Sequence, residues 1–153
     1  MGKVEDRLKS LGLVLPEVTT PLAAYIPAKK TGQVIFTAGQ LPILNGELIC
    51  KGLLGQDVDV EQAYQAARIC TLNALAAINL VVKDLDQIFQ VVRVVGYVAS
   101  TPTFTQQPAI VNGASELLLE IFGEMGKHAR SAVGVASLPL NASVEIELIV
   151  EIK

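Results

Sequence analysis

Arg130 stands at the mouth of an apolar segment near the C-terminus, in the run Lys127-His128-Ala129-Arg130-Ser131-Ala132-Val133-Gly134-Val135. A guanidinium offers a planar fork of donors that matches a carboxylate through two parallel bonds, and it stays charged at any working pH. The next apolar segment, Val144 to Glu151, carries Glu145 close to its start. A cation leading into a strand of small residues, with a carboxylate on the following strand, is a compact way to hold a small carboxylate-bearing molecule. The plainer alternative is a surface arginine that happens to precede a strand, and the segment alone does not decide between the two.

Both segments must be strands for that arrangement to form. In the last one, Val144, Ile146, Leu148, Val150 and Ile152 alternate with Glu145, Glu147 and Glu151, a period of two. Gln90 to Ala99 is an almost unbroken apolar run, which predicts a strand buried on both faces or nearly so. Asp57 or Asp59 can cap a long helix, with Gln62 in capping-box position after Asp59. Ala63, Ala66, Ala67, Cys70, Ala74 and Ile78 then recur at helical spacing, a small-residue stripe that lets a helix lie close on a sheet. A second helix is expected after the polar loop 100–108, running to about Phe122.

Earlier in the chain, Val4 to Leu11 reads as a short amphipathic helix stopped by Gly12. Leu22 to Ala28 and Gln33 to Ala38 read as a hairpin around a turn at Lys29-Lys30-Thr31-Gly32. Asn45-Gly46 signals a tight turn before a short strand ending at Ile49. The order is short helix, three strands, helix, strand, helix, two strands. It predicts an α+β fold with both long helices on one face of a single mixed sheet. The other face also carries apolar residues, among them Val91 or Val92, and nothing left in the chain can cover it. Self-association is the economical answer.

The bulk numbers agree. A chain of 153 residues is most naturally one domain, residues 1–153, with 1–20 forming an N-terminal extension that holds the short helix. Apolar residues make up 51% and charged residues 18%, richer in core formers than an average soluble domain. No apolar run approaches the roughly 20 residues that span a bilayer, and the N-terminus has no signal-peptide stretch, so a cytoplasmic protein is expected. The net charge of −3, with few clustered cations, argues against nucleic acid as the main partner. Cys50 and Cys70 form no CxxC and have no histidine near them, so neither a metal site nor a redox pair is expected.

Five ordered segments resemble the Rid/YjgF family of reactive-intermediate (enamine/imine) deaminases. Pro21-Leu-Ala-Ala-Tyr25 resembles the family's segment ending in a pocket tyrosine, and Phe36-Thr-Ala-Gly39-Gln40-Leu-Pro42 its (S/A)GQxP motif. Phe104 with Val111-Asn112 is similar to the loop and helix start that border the pocket. Ala129-Arg130-Ser131 with Val135-Ala136 and Leu138-Pro139 resembles its ARS…VAxLP signature, and Val144-Glu145-Ile146-Glu147 its closing strand. The resemblance implies a chorismate-mutase-like α+β fold, a homotrimer whose sheets form a central barrel, and clefts at the subunit boundaries.

Carried over by residue, the resemblance makes Arg130 the ligand of a substrate carboxylate and Glu145 the group that positions or activates water. Gly39 and Ala132 offer backbone hydrogen bonds, and Tyr25, Phe104 and Asn112 wall the pocket. Ala132 stands where many members have Cys, and Ala38 where Ser is commoner. The implied reaction is hydrolysis of a 2-imino acid or its enamine to a 2-keto acid and ammonia. It requires no metal or cofactor, because the imine carbon is already electrophilic. His128, the only histidine, has no role in the family pattern and is expected at the surface. Arg93 is expected to make an intersubunit or helix contact. A keto-acid binding protein without turnover stays open as an alternative, while endoribonuclease and chorismate mutase activities are disfavoured.

Overall fold

The computed structural model describes residues 2–18, 21 and 23–153. Its centre is a five-stranded sheet made by β1 (Ala28–Thr31), β2 (Val34–Thr37), β5 (Ile88–Ala99), β6 (Ala129–Val135) and β7 (Val144–Ile152). The order across the sheet is β1-β2-β7-β5-β6. All neighbours are antiparallel except β5 and β6, which run parallel with α3 (Gln107–Phe122) between them in sequence. β3 (Ile43–Leu44) and β4 (Glu47–Leu48) form a separate two-stranded ribbon around the Asn45-Gly46 turn, both residues at positive φ.

The long helix α2 (Val60–Val82) begins as its sequence dictates. The Asp59 side chain accepts from the Gln62 N–H at 2.8 Å, and Gln62 Oε1 accepts from the Asp59 N–H at 3.2 Å. Its alanine stripe is buried, with Ala63, Ala67, Cys70 and Ala74 fully shielded. By length and composition α2 could cross a membrane, contrary to the expectation that no apolar run was long enough. Its apolar face instead belongs to the core, joined there by Val144, Ile146 and Leu148 of β7 and by Ile110, Leu117 and Leu118 of α3.

Two strands differ from expectation for identifiable reasons. Lys29 and Lys30 are not the hairpin turn; they lie in β1, and the chain turns after Thr31 at Gly32. β1 is the sheet's edge, where exposed lysines discourage a further strand from pairing. The expected start of that hairpin at Leu22 lies outside the described residues. β5 is buried on one face only. Register shifts at Ile88/Gln90 and Val91/Arg93 bring Ile88, Val91 and Val94 all to the helix side, which disguises the period of two.

The opposite face of the sheet is covered by no element among the described residues. It carries Phe36 and Val133, both more than two-fifths exposed, beside Val95 and Ile149. Three polar links cross it: Tyr97 donates to Glu147 Oε1 at 2.5 Å, Arg93 Nη2 to Ser131 Oγ at 2.8 Å, and Gln90 Nε2 to Glu151 Oε2 at 2.6 Å. The carboxylate accepting from Tyr97 pushes that phenol up to about 12. Arg93 therefore reaches a neighbouring strand rather than a helix.

The N-terminal helix α1 (Lys3–Ser10) has no cap of its own, since Gly2 precedes it. Asp86, in the turn Leu85–Gln87 after α2, supplies one from 83 residues away. Its two carboxylate oxygens accept from the Lys3 and Val4 N–H groups at 2.8 Å each. Those bonds, Val4's first, hold the Asp86 pKa below the usual carboxylate value. The stabilisation is present above the unfolded carboxylate range and is lost as pH falls through the lowered folded value. Asp86→Ala should cost about 1 kcal/mol, with residues 3–10 exchanging amide hydrogens earlier than the rest of the chain. Unchanged protection of α1 would show that the buried Leu8 alone holds it.

Candidate active site

Arg130 lies second in β6, an edge strand, and faces the helix side of the sheet. The register fixes that direction: Arg130 pairs with Val94, and Ala132 with Gly96, both on the buried face. α3 supplies the partners. Arg130 Nη1 donates to Asn112 Oδ1 at 2.7 Å and to Ser115 Oγ at 3.1 Å. Asn112 and Ser115 are three residues apart and so share one face of that helix. Gly96 lets α3 approach β5, because a Cβ there would lie 2.3 Å from Val111 Cγ2.

Glu145 is the second residue of β7 and faces the open side, opposite to Arg130. It pairs with Tyr97, while its neighbour Ile146 points into the core. Gly39 follows β2 and lies against the Glu145 carboxylate; a Cβ on Gly39 would sit 2.6 Å from Oε2. The backbone here is pinned by Gln40 and Ile146, which exchange N–H to carbonyl bonds at 2.8 and 3.0 Å. Tyr25, Ala38, Gly39 and Gln40 line a cleft of about 110 Å³, floored by Asn73, whose amide donates to the Leu41 and Ile43 carbonyls. A drug-sized ligand occupies roughly 300 Å³ or more, so this cleft is part of a site rather than a whole one. Burial, and then the Glu147 charge, raise the Glu145 pKa.

The sequence-predicted residues thus fall into separate groups within one chain. Arg130, Asn112 and Ala132 share the helix side of β6. Glu145 is on the other face, against Gly39, which shares its cleft with Tyr25, and β5 lies between β6 and β7. Phe104 stands at the far end of β6, beside Gln107, Gly134 and Val135. Gly134 lies four residue steps along the strand from Arg130, about 13 Å. β6 and β7 follow each other in sequence but are not neighbours in the sheet, and Arg130 and Glu145 do not meet within one chain.

Two residues near Arg130 were missed or misplaced by sequence reasoning. Ser115 had no signal beyond its spacing from Asn112. His128, expected at the surface, is half-buried, with its ring between Ser115 Oγ at 2.9 Å and the Gly126 carbonyl at 2.6 Å. Its position two residues before Arg130, just ahead of β6, was the available clue. A cavity of about 520 Å³ lies elsewhere, between α1 and the end of α2, and one of about 550 Å³ is bounded by residues 14–18 and 43–46. Leucines line the first, together with Glu5, Lys9, Asn79, Lys83 and Asp84.

A single mixed sheet backed by two helices, with this arginine on its edge strand, defines the class of protein. The profile of the family described as "YjgF/chorismate mutase-like, putative endoribonuclease" matches residues 5–152, and the chain belongs to that Rid/YjgF family. The match reaches further toward the N-terminus than the motifs, which begin at Pro21. Protein TCP17 of Trypanosoma cruzi is 39% identical over 99% of this chain and 95% of its own length. The crystal structure of Atu1372 from Agrobacterium tumefaciens, described as of unknown function, is 46% identical, with a TM-score of 0.92 over 99% of this chain and 93% of its own. E. coli TdcF, solved with bound serine, shares the fold at 21% identity and a TM-score of 0.62, over 90% of this chain and 94% of its own.

Proposed function

We propose that this protein hydrolyses 2-imino acids, or their enamine tautomers, to 2-keto acids and ammonia at clefts between the subunits of a homotrimer. The observation that carries the reading is Arg130 itself. It is a guanidinium on an exposed sheet edge, oriented by two α3 side chains, and no carboxylate among the described residues pairs with it. A small carboxylate-bearing substrate is the chemistry that complements it. Serine bound to TdcF is a molecule of that class, held by the same fold.

Glu145 supplies the second requirement. An imine carbon needs only a positioned water and a base within reach, so orientation does most of the catalysis. A half-buried carboxylate whose pKa is raised by burial is a better base than an ordinary surface glutamate. Because Arg130 and Glu145 face opposite sides of one sheet, a second copy must complete the cleft, with the open apolar face as the contact. The net charge of −3 gives no support to an RNA backbone as substrate.

Incubating the protein with enzymatically generated 2-iminobutyrate tests the reading; ammonia release no faster than the uncatalysed rate would sink it. Glu145→Gln should lower that rate about 100- to 10,000-fold. The wild-type rate should fall on the acid side as pH drops through the raised Glu145 pKa, above the ordinary carboxylate range. The same burial has a stability sign. Below the unfolded carboxylate value Glu145 is protonated in both states, and folding loses stability as pH rises through the higher folded value. Glu145→Gln should therefore melt at a higher temperature than wild type near neutral pH while losing activity. Lower stability together with full activity would make Glu145 a structural residue.

A further inference from the structure

The hydrogen bonds around Arg130 run in one direction. Nη1 carries two hydrogens, and Asn112 Oδ1 and Ser115 Oγ accept them. The Gly126 carbonyl can only accept, so His128 Nδ1, 2.6 Å away, holds the ring proton. Nε2 of the neutral ring is then an acceptor, and Ser115 donates its hydroxyl hydrogen to it across 2.9 Å. Ser115 is left with its lone pairs turned to Arg130. Burial, and in lesser measure the Arg130 charge, lower the His128 pKa against the opposing Gly126 bond, so the ring is neutral at pH 7. Of the other charged groups nearby, Glu124 and Lys127 in the adjoining turn pair with each other at 3.0 Å.

With both Nη1 hydrogens committed, Arg130 can offer a ligand only its Nε and Nη2 hydrogens, which donate to no described residue. We propose that His128 and Ser115 are positioning residues for Arg130, committing Nη1 to the protein so that a ligand carboxylate docks on the Nε/Nη2 edge. This rests on the assignment of Arg130 as the carboxylate anchor. It has an electrostatic corollary. A bound carboxylate offsets the Arg130 charge that repels a proton on His128, so an occupied site raises the His128 pKa.

Titration of 2-ketobutyrate as an unreactive carboxylate probe tests both parts, with folding of each variant checked by circular dichroism. Ser115→Ala and His128→Leu should each weaken binding about tenfold, and the double variant no further, because both break one chain of bonds. His128→Gln should bind like wild type, its amide oxygen replacing Nε2 as acceptor. Ring nitrogen resonances of the single histidine should show Nδ1 protonated, and a pKa that rises on saturation with the probe. Wild-type binding by Ser115→Ala and His128→Leu, or a ring protonated at Nε2 instead, would overturn the inference. Should Ser115→Ala fail to fold, the ring titration in the wild-type protein still decides. If wild type does not bind the probe, or Arg130→Ala binds it equally, the anchor assignment fails and this inference falls with it. If only Arg130→Ala loses binding, this inference falls alone.

Discussion

Mixing Arg130→Ala chains with Glu145→Gln chains is expected to restore hydrolysis that neither has alone. Each variant by itself lacks one half of every cleft. Arg130→Ala removes the fork and leaves Asn112 and Ser115 with nothing to orient; even Arg130→Lys should lose most activity, since a point charge cannot make the bidentate contact. In a mixed ring, the intact Arg130 of one variant faces the intact Glu145 of the other. If the contact is head-to-tail and mixing is random, about a quarter of the clefts are fully wild type. Recovery toward that fraction after co-refolding would place the two residues on different subunits. No recovery, with mixed oligomers shown to be present, would contradict a cleft shared between copies and with it the trimeric reading of the open sheet face.

Gly113→Ala is expected to be the most damaging single methyl addition to the helical layer. Gly113 sits inside α3 where it crosses α2, and a Cβ there would lie 2.2 Å from the Tyr64 carbonyl oxygen and 3.1 Å from Ala67 Cβ. The nearer atom is backbone, so the helices must separate rather than a side chain rotate. The loss should be about 2–4 kcal/mol, after an opposing gain of about 1 kcal/mol from replacing glycine within a helix. Urea unfolding measures it directly, and an unchanged midpoint would mean that the helices do not cross this closely. Gly39→Ala makes a useful contrast. Its clash is with the mobile end of Glu145, so it should spare stability and act on the rate.

Much of the helical layer was legible because local rules operate there. Asp59 and Gln62 close a capping box four residues long, and the alanine stripe of α2 is a period read within one helix. β7 was equally plain, since one buried face and one glutamate-bearing face leave a strict alternation. β5 was not, because two bulges overwrite its period and make a one-sided strand resemble a two-sided one. Lys29 and Lys30 resembled a turn because exposed edge strands and turns draw on the same polar residues.

The site was legible as a set of residues and illegible as a geometry. Arg130 and Glu145 stand out by type, but β5 inserts itself between their strands through long-range pairing that no local spacing encodes. Which face each residue takes follows from counting along the strand from a neighbour that packs on the core, Ala132 for one and Ile146 for the other. His128 was passed over because a polar residue beside a turn is usually wet. Its shelter comes from Ser115, which lies 13 residues away in sequence.

The two cysteines give the molecule a pair of built-in clocks. Neither forms a disulfide, and burial raises the pKa of both. Cys70 is fully shielded at the middle of α2, so a thiol reagent reaches it only when the core itself comes apart. Cys50 lies in the segment after β4, where its carbonyl accepts from the Ser143 N–H at 3.2 Å. A smaller excursion of that segment uncovers it. The lag between the two labelling rates therefore reads out how much of the fold can breathe without dissolving.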